Sequence, residues 1–236
     1  MKKAFPWLRG RSKPEQEGPA VARGDKVVIR EKRVEDAPDD YAWRTDEELA
    51  RLDATRPIRM SFEDFLKFSK EELIYSNRTS KRLAVDNLDG RHIGNCMFYD
   101  IDYRRARAEL GIMIGDRDYW GKGYGTDTVE SLLDYIFSST AISRVYLHTL
   151  EWNHRALRSF AKSGFREVKK VHRSGNDFIL MEIYRSHREL RDNSDEHDVV
   201  KDIQVLHTGT EAEIGAGNTP TPSSRPINPK QTELHS

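Results

Sequence analysis

Glu109 to Phe137 reads ELGIMIGDRDYWGKGYGTDTVESLLDYIF. The apolar run Leu110 to Ile114 has the length of a strand, and a polar turn, Gly115 to Tyr119, follows it. Three alternating glycines come next: Gly121, Gly123 and Gly125. Beyond them Val129, Leu132, Leu133, Ile136 and Phe137 recur at i, i+3, i+4, i+7 and i+8, the spacing of one helix face. Thr126 and Asp127 stand where that helix is expected to start, with side chains able to cap its first amides. The glycines therefore fall between a strand end and a helix N-terminus. Glycine lets a backbone approach a ligand closely, the first helical amides lack partners within the helix, and the helix dipole adds partial positive charge. The combination predicts an anion site, suited to a phosphate or pyrophosphate, with Lys122 adding a full charge.

Outward from this stretch the chain reads as one domain with tails. Residues 1–24 mix charge, glycine and proline without periodicity and are expected to be a flexible basic arm. Lys26 to Arg30 is β-branched and short, the first expected strand. Residues 35–73 turn helical: Pro38 suits a first turn, Leu49 and Leu52 share a face, and Ser61 with Glu63 or Asp64 caps an amphipathic segment. A meander follows, Arg82 to Leu88 and about His92 to Ile101, joined by the hairpin signal Asp89-Gly90. A basic turn, Arg104 to Arg107, leads into Ala108 to Ile114. After the glycine loop and its helix come a strand at Arg144 to Leu150 and a helix opening at Asn153. Gly164 is placed to end that helix. Two last strands, Arg166 to His172 and Asp177 to Tyr184, flank a Ser174-Gly175-Asn176 turn. Residues 191–236 are polar, acidic and proline-containing, and are expected to be disordered. The predicted class is mixed α/β. The sheet is mostly antiparallel, with flanking helices and one parallel pair closed by a right-handed crossover from 108 to 150.

Composition narrows the function. The chain has 236 residues, 36% hydrophobic and 33% charged, lean enough that part of it is expected to stay unfolded. Lysine plus arginine and aspartate plus glutamate both total 39, which gives no support for nucleic-acid binding. The basic start and acidic end read as solvated tails. Cys96 is the single cysteine, so neither an internal disulfide nor a thiolate metal cluster can form, in keeping with a reducing compartment. The apolar stretch Ala4 to Leu8 is too short for an export signal, and no apolar run is long enough to span a bilayer. A soluble, cytoplasmic protein without membrane or metal partners is expected. The eight histidines lack metal-ligand spacing, and His148 reads as a packed or surface residue.

The glycine loop admits three readings. A Walker-type loop needs Gly-Lys-Ser/Thr, but Gly123 follows Lys122. A dinucleotide fold needs Gly-x-Gly-x-x-Gly directly after a strand and an acid further on. Glu151 would supply the acid, but the spacing and the closing hairpin do not fit. The third is a resemblance. DYWGKGYGTD, with ELGIMIG before it, NHRALRSFAKSGF after it and a final FILMEIY strand, is similar to the GNAT N-acetyltransferase superfamily. Within it the phrase resembles the branch containing the ribosomal-protein N-terminal (alanine) acetyltransferases and spermidine acetyltransferases. The family's loop is Gln/Arg-x-x-Gly-x-Gly/Ala; Gly123-Tyr124-Gly125 matches its second half, and Trp120 stands where Gln or Arg is usual. The likeness covers about Asp25 to Arg188, giving an expected acyltransferase domain at 25–190.

The resemblance implies the roles. Amides from Gly121 through Lys122, Gly123, Tyr124 and Gly125 to Thr126 would hold the CoA pyrophosphate, with the Lys122 side chain assisting. The backbone of Met113 and Ile114 would pair with the pantetheine arm, an amide there polarising the thioester carbonyl. Asn153 would bond pantetheine or the departing thiol side. Amine attack also needs a base, for which Glu109 is the candidate, beside the plainer reading of a strand-end carboxylate. Phe160 occupies the place of the family's acid, a tyrosine, leaving Ser159, Tyr124 or water. The implied partners are acetyl-CoA and a primary amine, either a small molecule or a protein N-terminus. Oligomeric state, homodimer included, stays open. A catalytically weak CoA-binding module is the alternative from another class. The aromatics Tyr41, Trp43, Phe62, Phe65 and Phe68 read first as packing and second as an acceptor cleft. The acids of 35–53 read first as a solvated helix face and second as a charge that attracts a cationic amine.

Overall fold

Alternating side chains and short turns build one eight-stranded sheet in the computed structural model, which describes residues 20–75 and 77–188. The strands are β1 (Ala20–Arg23), β2 (Val27–Glu31), β3 (Lys81–Asn87), β4 (His92–Asp102), β5 (Arg107–Ile114), β6 (Arg144–Leu150), β7 (Arg166–Arg173) and β8 (Asn176–Tyr184). Their order across the sheet is β1-β2-β3-β4-β5-β6-β8-β7. Every neighbouring pair is antiparallel except β5 with β6. The helices are α1 (Ala37–Arg44), α2 (Glu47–Leu52), α3 (Phe62–Ile74), α4 (Tyr124–Ser139) and α5 (His154–Lys162). The mixed class and the single parallel pair are as expected from the sequence. A doubly wound dinucleotide fold, which needs successive parallel units, is not what the chain forms.

The pleat sorts the two faces. The register sets Cys96 opposite Ile112 and Phe98 opposite Leu110, and these four face α4. There they meet Leu132, Leu133 and Ile136, each with no exposure, whose burial contributes roughly 1.5–3 kcal/mol apiece. The alternate positions, Asn95 opposite Met113 and Tyr99 opposite Glu109, face the other side. Helix α1 is tied to that second face, with Asn95 Nδ2 donating to Asp40 Oδ1 at 2.6 Å, Lys32 paired to Asp40 and Trp43 stacked on His92 at 4.8 Å.

Three boundaries differ from the sequence reading. The expected arm of residues 1–24 ends in strand: Ala20–Arg23 pairs with β2, an alternation too short to read alone and stabilised by its neighbour. Helix α4 begins at Tyr124, earlier than Thr126 and Asp127 suggest, because Gly123 at φ 90° turns the chain directly into it. Asp127 then caps nothing in its own helix. Its carboxylate accepts the backbone N–H groups of Asp25, Lys26 and Val27 at 3.1, 2.8 and 3.0 Å. A Cβ at Gly24 would overlap that carboxylate, so only glycine fits there. Finally, the acids of 35–53 are largely paired rather than solvated. Asp36 meets Arg30, Asp40 meets Lys32, and Asp46 and Glu48 both meet Arg117. The remainder of the expected arm, residues 1–19, and the expected tail, 191–236, lie outside the described residues. Among the described residues no helix is long and apolar enough to cross a membrane.

Candidate active site

The register of β5 with β6 makes the site. The two strands pair at Arg107↔Arg144, Ala108↔Val145 and Glu109↔Tyr146, and there the pairing stops. Strand β5 continues to Ile114, still held by β4, while β6 continues to Leu150 on β8. The edge of β5 from Leu110 onward therefore faces a gap instead of a strand. A cleft of about 350 Å³ opens there. Ile112, Met113 and Ile114 form one wall, Asn153, Ser159 and Phe160 of α5 the other, and Gly121, Gly123 and Gly125 line its end.

Gly121 and Gly123 have φ 72° and 90°, a backbone region that side-chain-bearing residues enter at a cost of about 1–2 kcal/mol. The first helical bond of α4 runs from Asp127 N–H to Gly123 O at 3.0 Å, so the amides of Tyr124, Gly125 and Thr126 precede the ladder. The sequence reading places Lys122 beside these amides. Lys122 is exposed in the loop, and the aliphatic end of Lys26 also reaches it: its Cε is 3.4 Å from where a Cβ on Gly123 would stand. The three bonds to Asp127 hold Lys26 in that place. Lys26 sits a hundred residues away in sequence, in a turn whose position nothing local reveals.

Trp120 ties the loop to the strand. Its indole Nε1 donates to the Ile114 carbonyl at 2.6 Å, so that carbonyl, expected to be open to a ligand, already has a partner. The Arg155 guanidinium lies 3.6 Å over the same ring. Burial and the nearby Arg117 both lower the affinity of Arg155 for its proton, against the pull of Glu48. Arg117 in turn reaches Asp46 and Glu48 at 2.8 and 2.9 Å, fixing the loop to α2.

Before α5, Asn153 Oδ1 accepts the Ala156 N–H at 3.2 Å, and its amide NH₂ remains to donate to a ligand. Ser159 Oγ lies 2.9 Å from Thr126 Oγ1, joining α5 to the first turn of α4. Phe160 is buried edge-on against Phe165 and carries no proton to give. Tyr124 packs edge-on against Tyr119 at 4.8 Å.

Glu109 occupies the last paired rung of β5, 6% exposed, on the face opposite α4. Its Oε1 lies 2.8 Å from His148 Nδ1 on β6. Tyr99 stands opposite Glu109 across the β4–β5 ladder; burial first, then the charge of Glu109, hold its phenol well above the ordinary tyrosine range. The sequence reading found Glu109 but set His148 aside. Only the parallel register brings the two together. Among the described residues no three His, Cys, Asp or Glu side chains gather as a metal site.

Comparison with known proteins agrees with this geometry. The family model described as an acetyltransferase (GNAT) domain matches residues 26–166. An N-acetyltransferase of Bacillus licheniformis, p20, is 27% identical over 155 residues, 62% of this chain and 86% of its own length. Spermidine N(1)-acetyltransferase of Vibrio cholerae is 27% identical over 109 residues, 44% of this chain and 62% of that protein. The crystal structure of a Vibrio cholerae spermidine N-acetyltransferase with CoA and spermine superposes with a TM-score of 0.61 at 20% identity, covering 68% of this chain and 96% of that one. A family model spanning 26–166, a sheet that parts after one parallel pair and a glycine loop entering α4 converge on one assignment: the chain belongs to the GNAT acetyltransferase family.

Proposed function

We propose that this protein transfers the acetyl group of acetyl-CoA to a primary amine by direct attack in a ternary complex. The observation that carries the reading is the parting of β5 from β6 beside a glycine loop with unladdered helix amides. The amides of Tyr124, Gly125 and Thr126, with those of Gly121 to Gly123, bind the pyrophosphate, and Lys26 and Lys122 neutralise it. The open edge of β5 at Met113 and Ile114 receives the pantetheine arm as an added strand, and an N–H there polarises the thioester carbonyl. The Asn153 NH₂ donates to the arm. Glu109 marks the end where the amine enters. The spermidine-acetylating relatives favour a polyamine acceptor; a protein N-terminus or another small amine presents the same nucleophile.

Phe160 supports a second reading, a CoA-binding module with weak turnover, because a phenyl ring cannot protonate the departing thiolate. A thiolate with an ordinary pKa near 8.5 leaves without much help, so the first reading stands without a tyrosine. Thiol release from acetyl-CoA, measured with polyamines, aminoglycosides and short peptides, separates the two. Turnover on one class of amine is expected. Calorimetric binding of acetyl-CoA with no release on any acceptor would establish the module instead.

A further inference from the structure

The carboxylate at the fork of β5 and β6 does not stand alone. Glu109 accepts from His148 Nδ1 at 2.8 Å, stands opposite Tyr99 across the β4–β5 pair, and is 6% exposed. A carboxylate so engaged has little room to meet an incoming amine. The imidazole is differently placed. Its side chain is 20% exposed, and it projects two residues past the last paired rung, on the same face as Glu109. Tyr146 and Phe178 stand edge-on to it at 6.1 and 6.4 Å and hold the ring in place.

We propose that His148 is the base of the reaction and Glu109 its positioning residue. This rests on the acetyl-transfer reading above. A carboxylate oxygen can only accept, so the bond to Glu109 requires the proton on Nδ1 and leaves the lone pair on Nε2. Nε2 takes the proton from the amine nitrogen as that nitrogen's lone pair forms the bond to the thioester carbon. The C–S bond then breaks with its electron pair on sulfur, giving the amide and the CoA thiolate. The imidazolium, stabilised by Glu109, returns its proton to the thiolate or to water. No further reactant is needed. The logic is that of a carboxylate fixing an imidazole tautomer for a neighbouring nucleophile.

The charged and titratable groups around this pair and its two tyrosines are Tyr99 and Asp100 from β4, Arg107 from β5, Tyr146 and Arg144 from β6, and Glu182 from β8, which is paired to Arg144; β8 also sets Phe178 edge-on to the ring. Burial and then Glu109 raise Tyr146 above its ordinary value, as they do Tyr99, so both tyrosines keep their protons near neutral pH.

The test compares the wild type with His148→Gln, His148→Ala and Glu109→Gln in the full chain. In the wild type kcat/KM is expected to fall on the acid side, where the base of the reaction is protonated. His148→Gln is expected to lose that limb and about 10²-fold or more in kcat, with acetyl-CoA affinity by calorimetry unchanged. Free imidazole is expected to restore part of the rate of His148→Ala. Glu109→Gln is expected to keep the limb, move it to lower pH and lower the plateau. Nitrogen NMR of the wild type is expected to show His148 protonated at Nδ1. Wild-type plateau and acid limb in His148→Gln, with both lost in Glu109→Gln, would make Glu109 the base and overturn the proposal. So would NMR showing the proton on Nε2. Absence of acetyl-CoA binding by the wild type is a different failure, that of the acetyl-transfer reading itself.

Discussion

Gly123 carries two demands at once. Its φ of 90° admits the chain to α4 in one step, and its missing side chain leaves room for the Lys26 stem. Gly123→Val would add left-handed strain of about 1–2 kcal/mol and press a branched side chain on Lys26. Acetyl-CoA affinity measured by calorimetry is expected to fall more than tenfold, about 1.4 kcal/mol, while the fold persists. Lys26→Met keeps the stem and removes the charge. Its Kd for acetyl-CoA is expected to rise roughly five- to tenfold, with a flatter dependence on salt than in the wild type. An unchanged Kd for Lys26→Met would return the phosphate charge to Lys122.

At the scale of elements, the β1–β2 turn and the first turn of α4 form one unit joined by Asp127. Three backbone N–H groups converge on its carboxylate, and hydrogen bonds to charged groups contribute more than neutral ones. Asp127→Ala leaves those donors unpaired and is expected to cost about 2–3 kcal/mol in denaturant unfolding. It also frees Lys26 from the loop, so acetyl-CoA should bind more weakly than the stability loss alone explains. Asp127→Asn, which keeps one acceptor oxygen, should fall between the two. Helix α3 behaves differently. It buries no residue, is capped by Ser61 accepting the Asp64 N–H, and rests on Tyr41 through Phe62 and Phe65. Phe68 on it is half exposed, so the expected packing role holds for its neighbours and not for Phe68.

Across the described molecule, buried charge pairs join the helical layer opposite α4 to the sheet, beside apolar contacts from Ala37, Trp43 and Leu49. Arg30 on β2 bonds Asp86 on β3 at 2.6 and 2.8 Å and Asp36 before α1 at 2.9 and 2.8 Å. Burial alone would raise the Asp36 pKa. Arg30, His92 and the Arg33 N–H outweigh it and bring it from 3.8 down to about 2. A depressed carboxylate contributes stability in full above its unfolded value and loses it as pH falls through the folded one. About 2 kcal/mol should therefore disappear between roughly pH 4 and pH 2, read as a falling unfolding free energy. Asp36→Asn should flatten that acid slope, and it should cost about 3–5 kcal/mol at neutral pH by leaving the buried guanidinium one partner short.

Periodicity was enough to place β6 and α5 and to mark the glycine loop, because burial on one face repeats locally in sequence. Asp89-Gly90, Ser61 and Gly164 revealed turns and helix ends, since those positions depend on a few neighbouring dihedrals. The likeness carried by DYWGKGYGTD and NHRALRSFAKSGF named the family. What the sequence could not supply were contacts with no local period. Ala20–Arg23 is strand only because β2 lies beside it. Asp127 turns to the β1–β2 turn instead of capping α4, and Lys26 reaches a loop a hundred residues on. His148 meets Glu109 because a parallel pair stops one rung short of separating them. Such pairings depend on register and on where strands part, and only the folded chain, with every backbone group seeking a partner at once, decides them.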